Sequence, residues 1–357
     1  MRIVFLHTAA LPAGWTGLIA GWVAHHPQPD VFALTAGGPQ PLQAQTVGSS
    51  RTGPFPVSWR QNRQLRRLCP DVVVDASATA PLVLKGPRLL LLPDPALLQQ
   101  LAGPTGPRQA WLRYRLRKKL RQATRVVVPT AFAAAQLHRV IPLHPGQPAV
   151  VPLLPGAAFQ PLPPAAREAV KEQVTGGVEY FLYTGSLAAG GQVLRLLKAF
   201  SAFKKRQQSS MRLVLAGAVP RKQEAAFKKM LSTYKYRADV VVLPAPGDAF
   251  LAELMGGAYA VVQTDAADTT GLLPLQAIGC RVPVLAPRES AAAETGGAAC
   301  LYLDSASVDE LAQKLMLLYK DETLRARLIA NGQAQREQFS PERAEKLWEA
   351  ALLSAAD

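Results

Sequence analysis

The chain has 357 residues, 49% of them hydrophobic and 18% charged, and a net charge of +15 at pH 7. The length suits two average domains better than one core, and the composition excludes a disordered chain. Apolar runs such as that at 89–92 are too short to cross a bilayer, and Cys69, Cys280 and Cys300 lack metal or redox spacing, which reads as reduced thiols in a cytoplasmic protein.

In chain order, residues 2–7 form a short apolar run followed by Pro12, Gly14 and Gly17. This reads as a buried parallel strand and a glycine loop rather than a signal peptide. Similar runs at 31–34, 72–74, 88–92, 126–128 and 150–154 predict further strands, with helical patterns at 59–68 and 111–122 between them. Residues 155–178 interrupt the alternation with Pro155, Pro161, Pro163, Pro164 and Gly176-Gly177, enclosing a short polar helix. They read as an interdomain connection.

A second series follows. Strands are predicted at 180–184, 212–216, 240–243, 258–263, 284–285 and 299–303. Helices are predicted at 192–206, 222–234, 249–255, 272–279, 308–320, 322–338 and 341–355. Strand and helix alternate in both halves, so the fold class is α/β, two doubly wound parallel sheets covered on both faces. The expected domains are 1–160 and 161–340, with 341–357 a last helix packing back on the first.

Ligands of such sheets bind at the carboxyl ends of strands. Two loops there carry chemistry. Thr184, Gly185, Ser186 and Leu187 lead through Gly190 and Gly191 into a helix. Glycines admit a ligand close to the backbone, and a helix start offers unpaired N–H groups with about half a unit of positive charge, which suits phosphate. A plain strand-to-helix turn fits the same residues. The second loop, 265–271, holds Asp268, Thr269, Thr270 and Gly271 and opens the helix carrying Gln276. It reads as an anion contact or as an N-cap beside a surface carboxylate.

Around these loops the chain resembles a known family. Residues 180–187 (YFLYTGSL), 196–200 (LLKAF), 213–217 (LVLAG) and 271–284 (GLLPLQAIGCRVPV), with Asp304, 321–328 and Phe339-Ser340, are similar to the donor domain of family-4 retaining glycosyltransferases. Residues 69–74 and 126–132 resemble the first half of that family more weakly. The resemblance implies GT-B architecture, two Rossmann-like domains facing across a cleft. It implies transfer of a sugar from a nucleoside-diphosphate sugar to a lipid-linked, polysaccharide or other glycan acceptor, with no metal or other cofactor.

The resemblance also assigns roles. Gly185, Ser186, Gly190, Gly191, Thr269, Thr270 and Gly271 would contact phosphate, Gln276 the ribose, and Asp268 the donor sugar at the reaction centre. The family's loop Arg and Lys correspond here to Gly190 and Gly191, and its two glutamates, seven residues apart, to Asp268 and Gln276. Where many members have His-Asp, this chain has Pro93-Asp94. Cations aimed at a leaving diphosphate are usually a large catalytic contribution. Arg195, one helical turn in, or Arg288, after a later strand, is the available replacement. A silent homologue that binds nucleotide or scaffolds another transferase is the alternative function.

The charge is lopsided. Residues 1–160 hold 17 Lys and Arg against four acids, and residues 161–357 hold 23 against 21. Residues 108–125 alone carry Arg108, Arg113, Arg115, Arg117, Lys118, Lys119, Arg121 and Arg125 and no acid, with Trp111, Leu112, Leu116 and Leu120 at helical spacing. This basic amphipathic helix fits an anionic membrane surface, at the inner membrane face, or an ordinary sheet-covering helix with a solvated outer face. Arg60, Arg63, Arg66 and Arg67 add to the same field. No nucleic-acid-reading module is present, and the five histidines lack metal spacing.

Overall fold

The structure is a computed structural model that describes residues 1–6, 13–25, 31–35, 45–49, 67–76, 86–92, 106–144, 146–188 and 191–356. Two compact units result, one of Met1–Leu154 with Phe339–Asp357, the other of Pro155–Gln338.

In the first unit, β1 (Ile3–Leu6), β2 (Val31–Thr35), β3 (Gln45–Ser49), β4 (Val72–Asp75), β5 (Arg88–Leu91), β6 (Arg125–Val128) and β7 (Pro148–Val150) pair in parallel. Among the described residues their order is β3-β2-β1-β4-β5-β6-β7. The last strand lies earlier than the apolar run at 150–154 suggested. Helices α1 (Ala13–His25), α2 (Pro107–Gln122) and α3 (Ala131–Val140) accompany the sheet.

The glycine loop expected near Gly14 and Gly17 is instead the body of α1. Trp15, Leu18, Ile19 and Trp22 fall at helical spacing and are buried. Gly14 is there for close packing: a Cβ would sit 2.8 Å from the Leu154 carbonyl oxygen. Helix α3 was hidden by its alanine-rich sequence. Its cap is Thr130, whose hydroxyl accepts from the Ala133 N–H at 3.0 Å. The C-terminal helix (Pro341–Ala356) belongs to this unit, with Trp348 stacked against Phe5 at 6.4 Å between centroids. The expected helix at 59–68, its Arg60, Arg63 and Arg66, and Pro93-Asp94 lie outside the described residues, apart from a helical turn at 67–68.

In the second unit, β8 (Tyr180–Thr184), β9 (Arg212–Gly217), β10 (Val240–Pro244), β11 (Ala260–Val262), β12 (Val284–Pro287) and β13 (Cys300–Leu303) form a parallel sheet of order β10-β9-β8-β11-β12-β13. The helices are α4 (Pro164–Thr175), α5 (Gly191–Gln207), α6 (Glu224–Ser232), α7 (Asp248–Gly257), α8 (Leu272–Gly279), α9 (Ala292–Gly296), α10 (Val308–Lys320) and α11 (Glu322–Gln338).

Strand side chains alternate between two cores, which is why these strands read as continuous apolar runs. Phe181, Tyr183, Leu213, Leu215, Val262 and Leu285 pack with α5 and α10. Tyr180, Leu182, Val214, Ala216, Val261 and Val284 pack with α4, α7 and α8 on the other face. The break between units falls at Leu154, before the boundary drawn at residue 160. The proline segment is bound to the second core: Phe159 is buried in it, and a Cβ on Gly256 would lie 2.6 Å from Leu162.

Candidate functional site

The order of the second sheet reverses between β8 and β11. Strands on one side run β8, β9, β10, and on the other β11, β12, β13. Such a reversal leaves a crevice at the carboxyl ends, because the flanking connections leave toward opposite faces. Both glycine-bearing loops start there, from neighbouring strands paired at Tyr183 and Val262.

Three contacts fix this edge. Gln192 Nε2 donates to Asp265 Oδ1 at 3.0 Å, joining the start of α5 to the loop after β11. The Ala291 N–H donates to the Asp268 carbonyl at 3.1 Å, joining that loop to the one after β12. On the other side, Leu187 N–H donates to the Ala218 carbonyl at 2.9 Å. Gly217, at the end of β9, lets the first loop cross it: a Cβ there would stand 1.8 Å from the Gly185 carbonyl oxygen. Gln192, Asp265 and Gly217 were not singled out in the sequence. Only the glycine carries a recognisable signal, as the last residue of a strand beside a ligand loop.

The first loop is open. Gly185 and Ser186 are exposed, with Gly185 at φ +142° and Gly191 at φ +50°, both in the region that favours glycine. Gly190 lies outside the described residues. The buried Tyr183 hydroxyl, its pKa raised chiefly by desolvation, donates to the Ser186 carbonyl at 3.2 Å and braces the turn. Arg195 sits in the first turns of α5, but its Nε donates to the Ser305 carbonyl at 3.0 Å, on the loop after β13.

The second loop closes on itself. Asp268 Oδ1 accepts from the Thr270 N–H at 2.9 Å and the Thr270 hydroxyl at 2.7 Å. Its Oδ2 accepts from Gln263 Nε2 at 2.9 Å and the Gly271 N–H at 3.2 Å. The Leu272 N–H lies 3.4 Å from the Thr270 hydroxyl oxygen. The N–H groups of Thr270 and Gly271, two of the residues assigned to phosphate with Thr269, both donate to the Asp268 carboxylate. The shorter aspartate arm curls back onto its own turn. Thr269 is 1% exposed and Gly271, at φ +62°, is backed by Thr295, 2.5 Å from where a Cβ would be. Gln276 is half-buried, one turn into α8, and its side-chain amide makes no hydrogen bond among the described residues.

A recess of about 640 Å³ lies at the opposite, amino edge of the sheet, lined by Glu179, Met211, Tyr259, Tyr319, Lys320 and Glu322. Its carboxylates are engaged, Glu179 with Lys171 at 3.0 Å and Glu322 with the Tyr259 hydroxyl at 2.7 Å. It is remote from the strand ends where chemistry is expected. Among the described residues no group of three or more His, Cys, Asp and Glu side chains is placed to hold a metal ion, and no helix is long and apolar enough to cross a membrane.

On the first unit, α2 exposes Trp111 (54%) and Tyr114 (63%) together with Arg117, Lys118 and Arg121. Two cations of the 108–125 run are turned inward. Lys119 is buried, its Nζ 2.7 Å from Asp75 Oδ2, and Arg125 on β6 bonds the Ser354 and Gly146 carbonyls.

Residues 166–335 match the family model described as Glycosyl transferases group 1. No curated protein sequence matches the chain. Among solved structures, Anabaena HepE in complex with UDP and glucose superposes with a TM-score of 0.75 at 16% identity, covering 99% of this chain and 100% of that one. WaaG, a glycosyltransferase involved in lipopolysaccharide biosynthesis, gives 0.71 at 19% identity, with 96% and 98% covered. Sucrose-phosphate synthase from Thermosynechococcus elongatus gives 0.71 at 16% identity, with 99% and 96% covered. The fold is that of GT-B proteins, with a Rossmann-like sheet in each unit.

Proposed function

We propose that the chain is a retaining glycosyltransferase of the family-4 kind, taking a sugar from a nucleoside-diphosphate sugar and passing it to a lipid-linked or polysaccharide glycan acceptor. One observation carries this reading: two strand-to-helix loops, pinned together by Gln192 and Asp265 at the order reversal of a doubly wound sheet. They lie inside the stretch that matches the glycosyl transferase family. The UDP and glucose held by HepE support the nucleotide-sugar class.

In this reading the donor diphosphate rests on the backbone of Gly185, Ser186, Gly190 and Gly191 at the start of α5. The helix dipole there favours the charge that builds as the sugar–phosphate bond breaks. Gln276 both donates to and accepts from the ribose hydroxyls. Asp268 acts as a positioning residue: with Thr270 and Gly271 it fixes the entry to α8 and so the place of Gln276. Thr269, buried beside it, keeps that turn packed.

The acceptor reading extends to a surface. Exposed tryptophan and tyrosine beside the exposed Arg117, Lys118 and Arg121 on α2 suit an anionic bilayer, the rings at headgroup depth and the cations on lipid phosphates. This supports a cytoplasmic protein working at the inner membrane face. Sedimentation with phosphatidylglycerol vesicles is expected, and binding should fall with added salt and with W111A.

Calorimetric titration with ADP, GDP and UDP, followed by donor-hydrolysis and transfer assays, tests the function. Tight binding of one diphosphate and sugar release from its nucleotide-sugar are expected. Binding without turnover would instead mark a silent homologue, and no binding would reject the reading.

A further inference from the structure

The proposed donor site lacks an evident cation. Gly190 and Gly191 supply none, and Arg195 Nε is engaged by the Ser305 carbonyl, on the loop after β13, two strands from β11. A diphosphate leaving group carries charge that backbone amides alone neutralise poorly. Exposed cations at the carboxyl edge of the second sheet follow β9, at Arg221 and Lys222, and β12, at Arg288.

Arg288 directly follows β12, the neighbour of β11, and its N–H continues the ladder to the Leu303 carbonyl at 3.1 Å. By alternation it falls on the face of Val284 and Ala286, which α8 covers. Its loop is rigid. The buried Ser290 hydroxyl donates to the Pro287 carbonyl at 3.0 Å and accepts from the Ala292 N–H at 3.2 Å, and Ala291 is bonded to Asp268. Arg288 itself is exposed, and its guanidinium makes no hydrogen bond or ion pair among the described residues. One strand spacing, about 5 Å, separates its strand from β11, and two, about 10 Å, from β8, whose loop opens α5.

Resting on the donor-site reading above, we infer that Arg288 binds the diphosphate of the donor and supplies the positive charge that the glycine loop lacks. A guanidinium offers paired donors to phosphate oxygens, and its charge persists at any working pH. The loop holds the arginine beside the entry to α8, so the cation and the start of α5 would flank one pyrophosphate from two sides.

Calorimetric titration of the full chain with ADP, GDP and UDP, and with adenosine, guanosine and uridine, tests this in wild type, R288A, R288K and the control K320A. Lys320 is exposed at the opposite edge of the same sheet. For the diphosphate that wild type binds best, R288A is expected to weaken affinity roughly tenfold or more, the loss of a charge-assisted contact. The matching nucleoside should change by less than about twofold, R288K should recover part of the loss, and K320A should behave as wild type. Unchanged diphosphate affinity in R288A, an equal loss for nucleoside and diphosphate, or the same loss in K320A would overturn the inference and leave the donor site standing. Failure of wild type to bind any diphosphate would overturn both.

Discussion

Removing the Asp268 carboxylate should unsettle the second unit before it touches any chemistry. D268A deprives four donors, at 2.7–3.2 Å, of their acceptor: two backbone amides, the Thr270 hydroxyl and the Gln263 amide. Bonds to a charged acceptor contribute about 1.5–3 kcal/mol each when buried, but Asp268 is half-buried and water replaces part of the loss. A capping residue alone contributes about 1–2 kcal/mol. The net cost is therefore about 2–4 kcal/mol. For a domain of this size that lowers the melting temperature by about 5–12 °C. D268N retains one oxygen acceptor and should lose about half as much. Scanning calorimetry measures the shift, and transfer assays below the melting temperature run in parallel. D268N should keep measurable turnover. If D268A melts within about 2 °C of wild type yet turnover is abolished in both variants, the carboxylate works on substrate and the positioning role is wrong.

Other consequences follow from the packing. In G217A the new methyl meets the Gly185 carbonyl, a backbone atom that cannot rotate away. An overpacking cost of about 1–3 kcal/mol and a displaced first loop should weaken diphosphate binding while nucleoside binding changes less. Burial holds the Lys119 ammonium below the usual lysine range, more strongly than Asp75 raises it. The folded unit then binds that proton less well than the unfolded chain, so stability rises with pH between the lowered folded value and the ordinary one, and K119M should remove the rise. All five tryptophans lie in the first unit, so the urea midpoint by their fluorescence reports it. Burial pushes Cys280 and Cys300 up to about 12, whereas Cys69 is exposed. One thiol should react with Ellman's reagent in the native protein and three after unfolding.

The second unit was legible in the sequence because its inner strands β8, β9, β11 and β12 are buried on both faces, which leaves an uninterrupted apolar run between turn residues. The two loops followed from those strands, since a doubly wound sheet brings the ends of β8 and β11 together. The first unit was read less well where packing, not loop chemistry, demanded glycine, as at Gly14 in α1. Within the site, spacing located Asp268 and Gln276 but could not show that the aspartate carboxylate would turn onto Thr270 and Gly271. The Gln192–Asp265 contact is likewise a tertiary fact: a glutamine and an aspartate far apart in the chain carry no pairing signal. Even the charge of α2 was only partly readable, because the ion pair that buries Lys119 depends on Asp75 from another strand.

Amide hydrogen exchange with and without the best-binding nucleoside diphosphate tests the location of the proposed donor site most directly. Slower exchange is predicted in peptides spanning 184–192 and 268–276 together, with the amino-edge recess around Tyr259 and Tyr319 unchanged. Protection at that recess instead, or at neither loop while the nucleotide is bound, would contradict the account.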